Sequence, residues 1–93
     1  TLEQAKLLCQ EAGRLFPLTV GRMHEKNVGP HPCWSCQLAF KPDLFGEVVP
    51  WLALNRNGLV VFIHPDTGSV LPDHTEHAIW MGEVKELNLS TLE

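Results

Sequence analysis

The sequence predicts an α+β domain in which two main helices cover one face of an antiparallel sheet. Two observations support this prediction. Apolar residues recur at helical spacing in two separate segments, and three further segments have the alternation or the apolar run that is typical of β-strands. The chain has 93 residues, of which 44% are hydrophobic and 19% are charged, and this suffices for one core and not for two. We therefore expect a single domain over residues 1–93.

The first helix is predicted at the beginning of the chain and ends before Pro17. Thr1 and Gln4 have the spacing of a capping box, in which each side chain accepts a hydrogen bond from a backbone N–H of the first turn. One face of this helix is apolar, and it consists of Leu2, Ala5, Leu8, Ala12 and Leu15.

A second helix is predicted to begin at Pro42 and Asp43 and to end at the turn-forming pair Asn57–Gly58. Pro50 lies inside this segment and is expected to kink or restart the helix. The apolar stripe of the helix consists of Leu44, Val48, Trp51 and Leu52.

A third, short helix is predicted from Asp73 through Trp80. Asp73 and Glu76 repeat the spacing of a capping box, and Gly82 is a typical residue for the end of a helix. The alternative interpretation of Asp73 is an N-cap without further function.

Three segments are predicted as strands. Leu18 to about Lys26 is rich in β-branched and apolar residues, and Trp34–Phe40 alternates strictly between apolar and polar positions. Leu59–Ile63 is an uninterrupted apolar run and predicts a buried central strand, followed by a turn at residues 66–68.

The order helix, strand, strand, helix, strand matches the βαββαβ pattern of a ferredoxin-like fold without its first strand. That strand is central in the sheet order 4-1-3-2, so its absence would open the core. We therefore expect that the sequence given begins after it.

The charge and hydropathy of the chain disfavour two classes of partner. A net charge of −4 with scattered basic residues disfavours duplex nucleic acid. Apart from the segment around Pro50, the longest apolar stretch is Leu59–Ile63, far short of the ~20 residues of a membrane span. Glu3 and Gln4 replace the apolar core of a secretory signal, so a cytoplasmic location is expected.

The three cysteines give little evidence for a disulfide, zinc or redox function. An odd number of them, three, does not predict a disulfide framework, and Cys9 falls on the core-facing side of the first helix. Cys33 and Cys36 form a CxxC motif, but positions i and i+3 of a strand point to opposite faces, so their sulfur atoms should diverge.

The histidines are the informative residues. His31 lies between two prolines, His64 directly follows the last predicted strand, and His74 lies near a predicted helix start. In the inferred topology, His31, His64 and His24 converge on one edge of the sheet. Clustered imidazoles with a nearby carboxylate suit Zn or non-haem Fe(II). The alternative is that each histidine is a hydrogen-bonded turn residue.

Several spaced motifs, which run through nearly the whole chain in the same order, give the sequence a resemblance to the DOPA 4,5-dioxygenase family. These motifs are Val28-Gly29-Pro30-His31-Pro32, Gln37-Leu38-Ala39-Phe40, Val49-Pro50-Trp51-Leu52, Leu54-Asn55-Arg56-Asn57-Gly58-Leu59, His64-Pro65-Asp66-Thr67-Gly68 and Asp73-His74-Thr75. Members of the family begin with a His-x-His strand, and this sequence starts after the corresponding place.

The resemblance implies a ferredoxin-like homodimer that cleaves the catechol ring of a DOPA-like substrate with O2, in extradiol fashion. Fe(II) is the implied metal, with Zn as a substitute in a crystal. His31, His64 and His74 match family positions and are the expected catalytic residues, with His31 and His64 as metal ligands. The expected substrate contacts are Arg56, Trp34 and His24.

Two other functions remain open at this stage. The first is a non-enzymatic ferredoxin-like dimeric module that binds a small aromatic ligand or a metal. The second is a thiol or zinc protein that acts through Cys33 and Cys36.

Overall fold

The computed structural model of the chain describes residues 2–21, 35–87 and 89–92. It has an α+β architecture, as the sequence predicts. The helices are α1 (Leu2–Leu15), α2 (Phe45–Asn55) and α3 (Val70–Asp73), and the strands are β1 (Thr19–Val20), β2 (Leu38–Ala39), β3 (Val61–Ile63) and β4 (Ile79–Met81). Short 3-10 turns occupy Pro42–Leu44 and Leu89–Leu92.

Helix α1 confirms the predicted first helix. Its acidic residue in the first turn, Glu3, and its basic residue in the last turn, Arg14, both complement the helix dipole. The buried face consists of Ala5, Cys9 and Ala12. These side chains are small, so the helix can approach β1 and β2, against which it packs.

Helix α2 begins directly after the 3-10 turn and continues through Pro50. The helix therefore neither stops nor restarts at this proline, which lies on the exposed side. Its core-facing side chains are Val48 and Leu52, both buried. The predicted terminator is confirmed, because Asn57 and Gly58 adopt positive φ angles of 50° and 81° directly after the helix.

The strands form two antiparallel pairs. In the first pair, Thr19 lies opposite Ala39 and Val20 opposite Leu38. In the second pair, Phe62 lies opposite Trp80, between the pairs Val61–Met81 and Ile63–Ile79. Within the described ranges these pairs are separate two-stranded sheets, so the ferredoxin-like strand order stays a prediction.

The predicted third helix is wrong. Helix α3 ends at Asp73, where the prediction has a helix begin, and Ile79–Met81 is strand β4. The physical reason is pairing, because Ile79 and Trp80 complete a ladder with β3 and cover its apolar side chains. The predicted capping box is a local signal, and the non-local strand pairing overrides it.

Two other predicted strands are shorter than expected. Residues 22–26 of the Leu18–Lys26 prediction and Trp34 of the next one lie outside the described residues, and the observed strands are β1 and β2. Strand β3 is half-buried rather than buried, and β4 is the neighbour that it has in the described part of the chain.

Cys9 and Cys36 form a disulfide bond, although the odd number of cysteines does not predict a disulfide framework. The two residues are 27 positions apart in sequence. They meet because Cys9 lies on the face of α1 that packs against the β1–β2 sheet. Cys33 lies outside the described residues, so the predicted divergence of Cys33 and Cys36 stays a prediction.

No helix among the described residues is both long enough and apolar enough to cross a membrane.

Candidate functional site

An aromatic wall, defined here as Phe62 and Trp80, lies on one face of the β3–β4 pair. The two residues are cross-strand partners, and their ring centroids are 4.4 Å apart with the planes inclined by 35°. His64 follows Phe62 by two positions, and alternate residues of an extended chain share a face. The imidazole of His64 accordingly lies against Phe62, with ring centroids 5.3 Å apart.

His74 completes this group from the other side of the turn. Its ring stacks on the ring of His64 with a centroid distance of 4.1 Å and an angle of 33°. It also lies 5.8 Å from the ring of Phe62. We call His64 and His74 the imidazole pair. The structure thus brings together two of the three histidines that the sequence predicts as catalytic.

Both rings of the imidazole pair are oriented by backbone carbonyls. Nδ1 of His64 lies 2.9 Å from the carbonyl oxygen of Pro65, and Nδ1 of His74 lies 2.8 Å from that of Val70. A carbonyl only accepts hydrogen bonds, so each Nδ1 carries the ring proton and donates it. In the neutral ring, Nε2 then carries the lone pair that binds a metal or accepts a proton.

Asp73 lies directly beside the imidazole pair and is 2% exposed. Its Oδ1 accepts a hydrogen bond of 2.7 Å from the hydroxyl of Thr67, and its Oδ2 accepts one of 2.8 Å from the Thr67 backbone N–H. These two bonds, the hydroxyl bond first, lower the pKa of Asp73 by more than burial raises it. Asp73 is therefore an ionised carboxylate at neutral pH.

This role of Asp73 is one that the sequence reasoning missed. The predicted N-cap is wrong, because Asp73 is the last residue of α3 and its carboxylate accepts a hydrogen bond from Thr67. The available signal was a threonine and an aspartate on either side of the Gly68 turn, a pattern too common to identify a site by itself.

Arg56 lies away from the imidazole pair. Its Nη1 donates a hydrogen bond of 2.9 Å to the carbonyl of Leu59. The guanidinium also packs on Gly82, where an added Cβ would lie 2.7 Å from Nη1. Leu59 and Gly82 flank the Val61–Met81 end of the β3–β4 pair, whereas His64 follows the other end. The structure does not bring Arg56 together with the two histidines.

The remaining predicted site residues, His31, His24 and Trp34, lie outside the described residues. The convergence of His31 and His64 on one sheet edge therefore stays a prediction. Across residues 2–21, 35–87 and 89–92, no group of three or more histidine, cysteine or acidic side chains could hold a metal ion. The imidazole pair supplies two nitrogen donors of the kind that non-haem metal sites use.

The fold and the imidazole pair define a small α+β domain that presents two oriented histidines beside an aromatic wall. A sequence model of the Dopa 4,5-dioxygenase family matches residues 1–91. The chain belongs to this family.

Two curated relatives are similar to this chain. An uncharacterized 21.2 kDa protein of Botryotinia fuckeliana is 42% identical over 100 residues, which cover 95% of this chain and 55% of that protein. The DOPA 4,5-dioxygenase of Amanita muscaria is 31% identical over 91 residues, which cover 98% of this chain and 40% of that protein. The chain thus spans about half the length of the curated relatives that it matches.

A crystal structure from Nostoc punctiforme, described as that of "a putative dioxygenase", has the same fold. The two structures superpose with a TM-score of 0.94 at 40% identity, over 97% of this chain and 78% of that chain.

Proposed function

We propose that this chain forms the ring-cleaving site of a dioxygenase that opens a catechol, DOPA-like substrate in extradiol fashion with O2. The observation that carries the proposal is the imidazole pair, whose two Nδ1 atoms donate to backbone carbonyls beside an aromatic wall. Membership of the Dopa 4,5-dioxygenase family and the named activity of the Amanita muscaria relative support it.

The imidazole pair fits a non-haem metal such as Fe(II). Metal-binding histidines almost always donate their second ring N–H to a carbonyl, a carboxylate or water, and both histidines do so here. His64 and His74 would hold the metal, with His31 as the third donor that the sequence predicts. When bound, Fe(II) would act as a redox-active Lewis acid toward both the catechol and O2.

The protein's own contribution is orientation. Phe62 and Trp80 offer a partly exposed aromatic surface on which a planar ring can stack, next to the nitrogens of the imidazole pair. Asp73 does not contact the substrate in this proposal, because its carboxylate is buried and bonded to Thr67. A ring held on the wall and two donors held by carbonyls reduce the entropy lost in reaching the reactive geometry.

The test uses the full-length protein, loaded anaerobically with Fe(II) and supplied with a panel of catechols. We expect stoichiometric O2 consumption and a ring-opened product that carries both atoms of ¹⁸O2. His64→Ala and His74→Ala should each lower kcat/KM by about 100-fold or more. His77→Ala is the matched control, since His77 is exposed and outside the imidazole pair.

Two results would contradict the proposal. Turnover that survives His64→Ala would remove the imidazole pair from the site. Tight binding of catechols without O2 consumption would favour the alternative, a non-enzymatic module.

We also propose that the protein is a homodimer. Large apolar side chains of the described residues are exposed on several elements, Leu54 and Val84 most strongly. Pairing of such surfaces between two copies removes them from water. Light scattering of the full-length protein at micromolar concentration should report twice the chain mass, and a monomer would contradict this proposal.

A further inference from the structure

We propose that Asp73 is a positioning residue, which fixes the spacing of the imidazole pair by closing the segment between His64 and His74 through Thr67. The catalytic consequence rests on the proposed function, whereas the geometric claim does not.

The closure consists of two hydrogen bonds across six residues of sequence. The Thr67 hydroxyl and the Thr67 backbone N–H each donate to one oxygen of Asp73, at 2.7 and 2.8 Å. The same hydroxyl oxygen accepts a hydrogen bond of 3.3 Å from the backbone N–H of Ser69. Asp73 is the one polar residue in the described part of the chain whose side chain is buried. A buried carboxylate with both oxygens bonded is costly to disturb, so it holds the turn closed.

The hydrogen bonds between Thr67 and Asp73 close the segment that connects the two imidazoles. His74 follows Asp73, and its backbone N–H donates to the carbonyls of Val70 and Leu71, both at 3.2 Å. His64 lies three residues before Thr67, at the other end of the closed segment. The two imidazoles therefore lie at the two ends of the segment that the hydrogen bonds between Thr67 and Asp73 close. We call these two hydrogen bonds the clamp. Without the clamp, neither carbonyl contact would fix the distance between the rings, because each contact is local to its own end.

The clamp uses both oxygens of the Asp73 carboxylate. Both partners from Thr67 are donors, and an ionised carboxylate is an acceptor at both oxygens. An amide could still accept from the backbone N–H and donate to the hydroxyl oxygen, so the variant that removes both acceptors is Asp73→Ala. Thr67→Val removes the hydroxyl and retains the backbone N–H. Thr67→Ser retains both donors.

The experiment measures the ring spacing itself. In the full-length protein with labelled histidines, NMR should detect nuclear Overhauser effects between the ring protons of His64 and His74. We expect Asp73→Ala and Thr67→Val to abolish these effects while the amide resonances of α1 and α2 stay in place. Thr67→Ser should retain them. Asp66→Ala is the matched control, since Asp66 is an exposed aspartate next to Thr67.

A second readout is the affinity for Zn(II) alone, measured by competition with a chromophoric chelator. Loss of an outer positioning partner typically costs 10- to 100-fold in metal affinity, and we expect this range for Asp73→Ala and a smaller loss for Thr67→Val. If Asp73→Ala fails to fold, Thr67→Val and its rescue by Thr67→Ser decide the question.

The outcomes separate the two proposals. Ring contacts that persist in Asp73→Ala or Thr67→Val would overturn the positioning role, even in an active enzyme. Ring contacts that respond to these variants in a protein without catechol turnover would support the positioning role and contradict the proposed function. A Thr67→Ser variant as impaired as Thr67→Val would also overturn the clamp.

Discussion

Phe62 of β3 and Trp80 of β4 are cross-strand partners whose ring centroids lie 4.4 Å apart. They occupy the face of the β3–β4 pair on which His64 lies. The pair has a structural role, because stacked aromatic residues stabilise a two-stranded ladder. In the proposed function it has a second role, as the surface that receives the substrate ring.

The first prediction separates these two roles. Trp80→Leu should raise the KM for a catechol by about 2- to 10-fold with little change in kcat, because an aromatic stacking contact contributes about 0.5–1.5 kcal/mol. Steady-state kinetics over a range of catechol concentrations measures both constants. Trp80→Phe is the control and should retain most of the affinity. A KM unchanged in Trp80→Leu would exclude the wall from substrate binding.

The second prediction concerns the bond between Cys9 and Cys36. Under oxidising conditions, a proteolytic digest should contain one crosslinked peptide with these two cysteines, and Cys33 should remain open to alkylation. A disulfide that closes a loop across 27 residues should add about 3–4 kcal/mol to the free energy of unfolding. Urea unfolding with and without a dithiol reductant measures the difference.

Cys33→Ser is the control for this experiment, because it should retain the crosslink and its stabilising effect. Cys9→Ser should unfold at the same urea concentration with and without reductant. A crosslinked peptide that joins Cys33 to Cys36 would instead support the thiol-protein alternative.

Local sequence signals predicted the helices that local interactions decide. Ala5 and Ala12 of the predicted apolar face of α1 are buried, together with Cys9, whereas Leu15 is exposed. Asn57–Gly58 identified the end of α2. Strand β4 was missed for the opposite reason. Ile79–Met81 is a strand because β3 lies beside it, and that neighbour is distant in sequence.

The candidate site was predictable only in part. A position directly after a predicted strand indicated His64, and a position near a predicted helix start, which the structure does not have, indicated His74. The carbonyl contacts of their Nδ1 atoms depend on backbone placement that no residue pattern encodes. The hydrogen bonds from Thr67 to Asp73 could not be predicted for the same reason, because they cross a turn whose backbone conformation the sequence does not specify.

The third prediction concerns the helical core. Val48 is completely buried on the core-facing side of α2. Val48→Ala should lower the free energy of unfolding by about 2 kcal/mol, through lost burial of two methyl groups and the cavity that they leave. Gln10→Ala on the exposed side of α1 is the control: Gln10 is a polar surface residue, and the change should be within about 0.5 kcal/mol. Urea unfolding gives both values, and equal effects would contradict the described core.

The fourth prediction is an acid-dependent loss of stability that comes from Asp73. The hydrogen bonds from Thr67 lower the pKa of Asp73 in the folded protein below its ordinary value of 3.8. The ionised form is therefore favoured by folding. This contribution is present above pH 3.8 and is lost as the pH falls through the folded-state pKa. Unfolding free energies between pH 7 and pH 2 should accordingly decline at the acid end.

Asp73→Asn should be less stable than the parent chain at pH 7, and the difference between the two should shrink as the pH falls. Glu11 provides the control, because its pKa is also lowered, by the hydrogen bond with Arg14, but the pair is exposed to solvent. Water and salt screen such a pair, so Glu11→Gln should leave the acid decline almost unchanged. An acid decline that persists undiminished in Asp73→Asn would show that Thr67 does not favour the ionised form of this carboxylate.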